Sequence, residues 1–196
     1  MNRKISHIRD RLSKHNPAPV DMDDPMRAAV ALLLQPRPDD VYVFFIHRAH
    51  HPHDPWSGHM AFPGGRQEPE DPDLLVTIQR ETYEEVGIDL VEHGEYLGRL
   101  AEVQASARGK QIGMVVSPFV YLVSQEASLV LDPVEVQDII WVPLSFMQQD
   151  GVEQIVERKL QTGSTIQVPA LLYGGKTIWG LTYRMLRDFL ELITKP

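Results

Sequence analysis

Residues 62–88, FPGGRQEPEDPDLLVTIQRETYEEVGI, constrain the fold and the chemistry of this chain more than any other segment. The segment begins with a glycine pair, continues through an acidic stretch and ends in a run with helical spacing of its apolar residues. Asp71 can act as the N-cap of a helix, Pro72 suits the first turn, and Gly87 can end it. The sequence therefore predicts a well-bounded helix over residues 72–86.

Glu81, Glu84 and Glu85 fall on one face of that helix, at positions i, i+3 and i+4. Carboxylates so close together repel one another, and a solvated acidic face is the plain structural interpretation. The opposite face suits packing on a sheet, however, and this places the acids beside the Gly64-Gly65 loop, where backbone can approach a metal ion or a phosphate closely. Carboxylates and carbonyls are the hard oxygen ligands that Mg²⁺ and Mn²⁺ prefer. The combination indicates metal-assisted hydrolysis of a phosphoanhydride.

The rest of the chain alternates strands with a few helices, which predicts one layered α/β domain. A first amphipathic helix is predicted over residues 4–15 and is followed by a Pro- and Asp-rich connector. Residues 1–25 are therefore interpreted as a helical extension with its linker, and residues 26–196 as the main domain. The predicted strands lie near Arg27–Leu34, Val41–Arg48, Tyr96–Val103, Met114–Val123 and Ile139–Val142, and the last predicted helix is Leu181–Ile193.

Composition and charge exclude several classes of function. The 196 residues contain no cysteine, which excludes disulfides, thiolate metal sites and thiol nucleophiles. The net charge of −8 disfavours nucleic acid as a partner, and no apolar run is long enough to span a membrane. The basic N-terminal stretch lacks the apolar core of a secretory signal. These features predict a cytoplasmic protein that acts on a small molecule, with neither nucleic acid nor membrane as a partner.

The segment from Gly65 onward resembles the Nudix box, GX5EX7REUXEEXGU, in which U is a bulky aliphatic residue. The matching residues are Gly65, Arg80, Glu81, Glu84, Glu85, Gly87 and Ile88. Asp71 stands where a glutamate is expected, Thr82 stands where an aliphatic residue is expected, and eight residues rather than seven separate Asp71 from Arg80. Because the box combines several fixed identities at fixed spacings, the chain is identified as a member of the Nudix hydrolase family.

The longer spacer resembles the coenzyme A pyrophosphatase branch of that family. The upstream segment HRAHHPHDPWSGHMAFPGG is similar to the branch motif R-[SA]-x3-R-x3-G-x3-FPGG. His53 replaces its second arginine, and the loop is one residue longer before Gly58. Downstream, TIWGLTYRML resembles the start of the C-terminal helix of that branch, and VEVQDIIWVPL resembles a strand region of many Nudix enzymes. The resemblance covers about residues 27–193.

The resemblance implies an α/β Nudix fold, with a mixed β-sheet sandwiched between α-helices. It implies Mg²⁺ or Mn²⁺ held by Glu81, Glu84 and Glu85 with Gly65 nearby, and catalytic roles for Glu84, Arg80 and Glu81. The implied reaction is attack of water on a nucleoside diphosphate derivative. Coenzyme A or an acyl-CoA would yield 3′,5′-ADP and (acyl-)4′-phosphopantetheine. The alternatives are ADP-ribose, other nucleoside diphosphate sugars or nucleotides as substrate, and a nucleotide sensor without catalysis. A homodimer is a possible assembly.

Other side chains are candidates for roles around this site. Arg48 and Arg66 are candidate phosphate ligands because they flank the acids in sequence, and His53 stands in for an arginine, although surface salt bridges are an alternative for the two arginines. Arg80 could brace a carboxylate or contact the substrate. The residues with open roles are Trp56 and Trp179, for core packing or adenine stacking, and Glu102, Glu126 and Glu135, as a general base outside the box.

Overall fold

The computed structural model describes residues 3–52, 54–107, 110–159, 163 and 165–194. The helices are α1 (Arg3–Ser13), α2 (Leu74–Val86), α3 (Leu90–His93), α4 (Leu144–Met147) and α5 (Gly180–Thr194). The strands are β1 (Met26–Pro36), β2 (Val41–Arg48), β3 (Met60–Ala61), β4 (Gly64–Arg66), β5 (Gly94–Arg99), β6 (Val103–Ala107), β7 (Lys110–Val123), β8 (Val136–Pro143), β9 (Glu153–Lys159), β10 (Thr165–Tyr173) and β11 (Lys176–Trp179). None of the described helices is long and apolar enough to cross a membrane.

The central strand of the larger sheet is β1, which pairs with β2 and β4 in antiparallel and with β7 in parallel orientation. Outside these, β2 pairs with β3 and β8, and β7 pairs with β5 and β6, all antiparallel. The sheet is therefore mixed, as predicted. The predicted strand over Tyr96–Val103 is wrong in its bounds, because β5 ends at Arg99 and β6 begins at Val103.

The apolar run of β1 is explained by its burial on both faces of the sheet. Leu32 and Leu34 belong to a hydrophobic cluster that includes residues of α1 and α5. Ala31 and Leu33 belong to a second cluster, which includes residues of α2. Because successive side chains of a strand point to opposite faces, one strand contributes to both cores. The predicted architecture, a mixed sheet between helices, is confirmed.

The N-terminal helix α1 packs on the main domain through Ile5, Ile8 and Leu12, all of which are buried. It spans Arg3–Ser13 instead of the predicted 4–15. Side chains of α1 also reach the end of α5: His7 Nε2 lies 2.8 Å from the carbonyl oxygen of Ile193, and Arg11 Nε donates to the carbonyl of Leu192 at 2.9 Å. These contacts occupy carbonyls that the last turn of a helix leaves without an intrahelical partner.

A second, antiparallel sheet of β9, β10 and β11 lies between residues 153 and 179, where no strand is predicted from the sequence. Tyr173 pairs with Lys176 across a loop of Gly174 and Gly175, whose φ angles are 56° and 74°. A two-residue hairpin of the primed type needs positive φ at both central positions, which glycine allows. The Gly-Gly pair between two strand-forming runs is thus the signal that could have found this hairpin.

Candidate active site

Helix α2 carries the three glutamates, and caps fix both of its ends. The N-cap is Asp73, whose Oδ1 accepts hydrogen bonds from the backbone N–H groups of Leu75 at 2.8 Å and Val76 at 3.0 Å. The prediction that Asp71 caps the helix is therefore wrong. The helix begins at Leu74, two residues after Pro72, and Asp73 is the residue that precedes its first turn. The C-terminal prediction is confirmed, since Gly87 has the left-handed φ of 73° that a helix C-cap favours.

Arg80 lies at the centre of the hydrogen bonds around the glutamates. Its Nε and Nη2 donate to the carboxylate of Asp71 at 3.2 and 2.9 Å, and its Nη1 donates to Glu81 and to Glu84, each at 3.0 Å. Its Nη2 also donates to the carbonyl of Arg66 at 3.2 Å. The hydrogen bonds from Arg80 hold the pKa of Asp71 well below its usual value, and they raise the pKa of Arg80. Arg80 thus braces carboxylates, which is one of the two roles considered for it.

The Gly64-Gly65 loop lies directly against the glutamates of α2. A Cβ atom on Gly65 would lie 2.4 Å from Cδ of Glu81. Gly64 has a φ of 144°, and a Cβ there would lie 2.2 Å from the carbonyl oxygen of Ala29 on β1. The N–H of Gly64 donates to Oε2 of Glu85 at 2.8 Å. Gly65 is therefore needed so that the loop backbone can approach the carboxylate of Glu81, and Gly64 is needed so that the loop can pass close to β1.

Glu85 is almost completely buried, with only 1% of its surface exposed. Its Oε1 atom has no hydrogen-bond partner in the described part of the chain, and Nη1 of Arg48 lies 3.6 Å from it. Burial raises the pKa of Glu85 to about 8, and burial also raises the pKa of Glu81. A buried charged oxygen without a partner is unfavourable, so this carboxylate favours either a proton or a cation.

The donor set fits a divalent metal ion in its chemistry. Glu85 supplies a buried oxygen without a hydrogen-bond partner among the described residues, and Glu81 lies against the backbone of Gly65. Carboxylate and backbone carbonyl oxygens are the ligands that Mg²⁺ and Mn²⁺ bind. Among the described residues, no group of three or more His, Cys, Asp or Glu side chains is already arranged as a metal site. Glu81 and Glu84 both accept hydrogen bonds from Arg80. A bound ion would therefore share these two carboxylates with Arg80.

Arg48 and Arg66 both line the cavity beside the glycine pair, but their charges are differently placed. Nε and Nη2 of Arg48 donate to Oδ2 of Asp54 at 3.1 and 2.8 Å, so its charge is largely matched by a neighbouring carboxylate. Arg66 is exposed at the surface. The third predicted substrate-binding residue, His53, lies outside the described residues. The two arginines are thus brought to the site, and Arg66 has the more accessible guanidinium.

The cavity has a volume of about 430 Å³ and adjoins the Gly64-Gly65 loop. Its lining includes both tryptophans for which the sequence left core packing and base stacking open, Trp56 and Trp179. The other apolar lining residues include Met60, Met114, Leu181 and Met185. The ring of His59 lies 4.6 Å from that of Trp179, and burial lowers the pKa of His59 to about 4, so this imidazole is neutral at pH 7.

Of the three candidate general bases outside the box, Glu135 is the one associated with the site. Burial is the main cause of the raised pKa of Glu81 and of Glu85, and the negative charge of Glu135 raises both further. Glu102 is buried in a separate hydrogen-bond network, and Glu126 is exposed. Of the three candidate general bases that the sequence leaves open, Glu135 is therefore the one whose charge affects the glutamates of α2.

The fold and the site are those of a hydrolase whose clustered carboxylates suit a divalent metal ion. Residues 24–160 match the family model described as the NUDIX domain. The match spans more than half of the chain and contains the glycine pair, Arg80 and the three glutamates of α2. The chain therefore belongs to the Nudix hydrolase family, as the box indicates.

Known relatives cover different shares of the chain. An uncharacterized protein of Schizosaccharomyces pombe is 42% identical over 106 residues, which is 53% of this chain and 32% of that protein. An uncharacterized Nudix hydrolase, NudL, of Photorhabdus laumondii is 31% identical over 137 residues, which is 70% of each chain. The peroxisomal coenzyme A diphosphatase ndx-8 of Caenorhabditis elegans is 36% identical over 96 residues, which is 47% of this chain and 38% of that protein. The matches to the yeast and nematode proteins thus span well under two thirds of their lengths.

Among solved structures, the MutT/nudix family protein from Enterococcus faecalis has a TM-score of 0.53 to this chain at 16% sequence identity. The alignment covers 100% of this chain and 76% of that chain. At this identity the similarity shows the fold alone.

Proposed function

We propose that the chain hydrolyses the diphosphate of coenzyme A or an acyl-CoA, with Mg²⁺ or Mn²⁺, to 3′,5′-ADP and (acyl-)4′-phosphopantetheine. Membership of the Nudix hydrolase family supports the general reaction, cleavage of a nucleoside diphosphate derivative. Two observations support coenzyme A as the substrate. The longer spacer of the box and the upstream FPGG segment resemble the coenzyme A pyrophosphatase branch. In addition, the nematode relative of 36% identity over 96 residues is named as a coenzyme A diphosphatase.

The observation that carries the proposal is the buried Oε1 atom of Glu85, which has no hydrogen-bond partner in the described part of the chain. It lies at the junction of the glycine loop, Arg48 and α2, next to the cavity. Glu81, Glu84 and Glu85, with the carbonyl of Gly65, would hold the divalent ion. When bound, the ion would neutralise phosphate charge and lower the pKa of water.

The residues of the chain itself have distinct tasks in this proposal. Arg80 keeps Glu81 and Glu84 ordered through its two 3.0 Å hydrogen bonds. Glu84 is the most accessible of the three glutamates, with 55% of its side chain exposed, and it accepts a proton from the attacking water. Arg66 and Arg48 orient the diphosphate by charge-assisted hydrogen bonds.

ADP-ribose or another nucleoside diphosphate sugar is the second candidate substrate. The observation that favours it is His53, which replaces an arginine of the motif linked to coenzyme A. A neutral imidazole attracts an additional phosphate less strongly than a guanidinium does. His53 keeps its proposed role as a substrate-binding residue in either case.

A substrate panel with product identification tests the proposal. Coenzyme A, acetyl-CoA, ADP-ribose, a dinucleoside polyphosphate and ATP are each incubated with the full chain and Mg²⁺ or Mn²⁺, and the products are identified by mass spectrometry. We expect 3′,5′-ADP from coenzyme A at the highest kcat/KM. ADP-ribose turned over at least tenfold better would assign the second candidate, and an absence of turnover throughout would favour a nucleotide sensor. Glu126→Gln, an exposed change away from the site, is the matched control for loss of one negative charge.

A further inference from the structure

Arg158 lies on the inner face of the three-stranded sheet, where its neighbours are mostly apolar. It pairs with Ile166 of β10, and Val156 pairs with Val168 two residues along the same strand. Side chains two residues apart share a face, so Arg158 and Val156 point the same way. Both are half-buried, whereas Ile155 and Glu157 between and beside them are exposed. An arginine therefore occupies a position that strand alternation reserves for the interior.

The guanidinium of Arg158 is held beside the cavity by an aromatic contact. Its Cζ atom lies 5.5 Å from the ring centroid of Trp179, within the range of a cation–π interaction. Trp179 lines the cavity, and so does His59, whose ring packs on it. Burial lowers the pKa of His59, and the nearby positive charges of Arg158 and Arg48 lower it further.

In the described part of the chain, the guanidinium of Arg158 lacks a carboxylate partner of the kind that Arg9 and Arg48 have. Its Nε atom is buried and has no hydrogen-bond partner in the described part of the chain. By contrast, Arg9 is paired with Glu95 at 2.9 Å, and Arg48 is paired with Asp54 at 2.8 Å. Burial of an unpaired cationic donor is unfavourable, and the cost is offset when an anion bonds to it.

We propose that Arg158, stacked on Trp179, binds a phosphate monoester on the ribose of the nucleotide, while the base lies against the tryptophan-lined wall of the cavity. This inference rests on the proposed cleavage of a nucleoside diphosphate derivative. It assigns the phosphate that distinguishes coenzyme A from ADP-ribose to Arg158 rather than to Arg48, whose charge is matched by Asp54 and Glu85. Arg158 and Trp179 thus determine specificity, and the glutamates of α2 perform the chemistry.

Binding of 3′,5′-ADP and of 5′-AMP, which differ only in the 3′-phosphate, tests the inference without turnover. Both are titrated calorimetrically into the full chain with Mg²⁺. We expect wild type to bind 3′,5′-ADP about tenfold or more tightly than 5′-AMP, the scale of charge-assisted hydrogen bonds. Arg158→Gln should remove most of this preference and leave 5′-AMP affinity within about twofold. Arg158→Met, which keeps an apolar stem on Trp179, should do the same if Arg158→Gln does not fold. Arg184→Gln, on the exposed face of α5, is the control and should keep the preference.

Two results would overturn the inference: equal wild-type affinities for the two nucleotides, or an unchanged preference after loss of the Arg158 charge. A lower melting temperature with an unchanged preference would show that Arg158 serves only to pack Trp179. The ratio of kcat/KM for coenzyme A over dephospho-CoA gives the second readout and should fall with the binding preference. If only ADP-ribose is cleaved while 3′,5′-ADP binding still depends on Arg158, the coenzyme A proposal fails and the anion site stands.

Discussion

The site has two walls, and they place their charges in opposite ways. One, the α2 wall, is formed by α2 behind the Gly64-Gly65 loop, and the other is formed by the small sheet and α5. On the α2 wall the charges are close in sequence and are paired in space, because Arg80 bonds to Asp71, Glu81 and Glu84. On the wall formed by the small sheet and α5, apolar and aromatic side chains predominate, and Arg158 stacks on Trp179 with a buried Nε that has no hydrogen-bond partner among the described residues. The difference indicates a division of labour, in which one wall is built for chemistry and the other for recognition.

The largest expected effect comes from removing a charge on the α2 wall. Glu84→Gln or Glu85→Gln should leave the fold intact and lower kcat by about 100-fold or more, the scale of losing a metal ligand or its electrostatic support. Turnover of coenzyme A under saturating Mg²⁺ measures this, with Glu126→Gln as the control. If both variants retain near-normal kcat, these acids do not carry the chemistry.

Substitutions of Asp71 and Asp73 compare the stability contributed by an ion pair with that contributed by a helix cap. Asp71 is buried and paired with Arg80, so Asp71→Ala should lower the free energy of unfolding by about 3 kcal/mol and also reduce turnover. Asp73 only caps α2, so Asp73→Ala should cost about 1 kcal/mol and leave kcat within about twofold. Urea unfolding of both variants makes the comparison. Equal losses of stability would show that the ion pair contributes no more than the cap.

The pH dependence of stability reports on the buried glutamate. The pKa of Glu85 is raised from 4.5 to about 8, so the stability it contributes is full below pH 4.5 and is lost as pH rises through 8. In EDTA, wild type should therefore lose about 2 kcal/mol relative to Glu85→Gln between pH 6 and pH 8. Chemical denaturation at several pH values measures it. Parallel profiles for the two proteins would contradict a buried carboxyl group whose pKa is raised by its burial.

The α2 wall could be predicted from sequence because its determinants are local. The glycine pair, Arg80 and the three glutamates lie within one short segment, and helical spacing is enough to align the acids. Two aspartates precede the helix, and the sequence does not show which of them is the cap. Asp71 instead accepts a hydrogen bond from Arg80, which lies nine residues further along the chain. A local sequence pattern does not show which of two equivalent side chains will bond to a residue further along the chain.

The recognition wall could not be predicted in the same way. Trp56, Trp179 and Met185 are brought together only by packing of the small sheet and α5 on the rest of the domain. In the sequence, Arg158 is one of several charged residues in a segment for which no strand is predicted. Its position over the indole of Trp179 depends on the register of three strands. The hairpin at Gly174-Gly175 is the one local signal that points to this sheet.

The most direct test of the central claim is the affinity of the chain for Mn²⁺, measured by electron paramagnetic resonance of the free ion. The claim is that Glu85, with the other α2 carboxylates and the glycine loop, forms a divalent metal site. Wild type should bind Mn²⁺, Glu85→Gln should weaken binding about tenfold or more, and the exposed-site control Glu126→Gln should match wild type. Equal Mn²⁺ affinity in wild type and Glu85→Gln would contradict the claim.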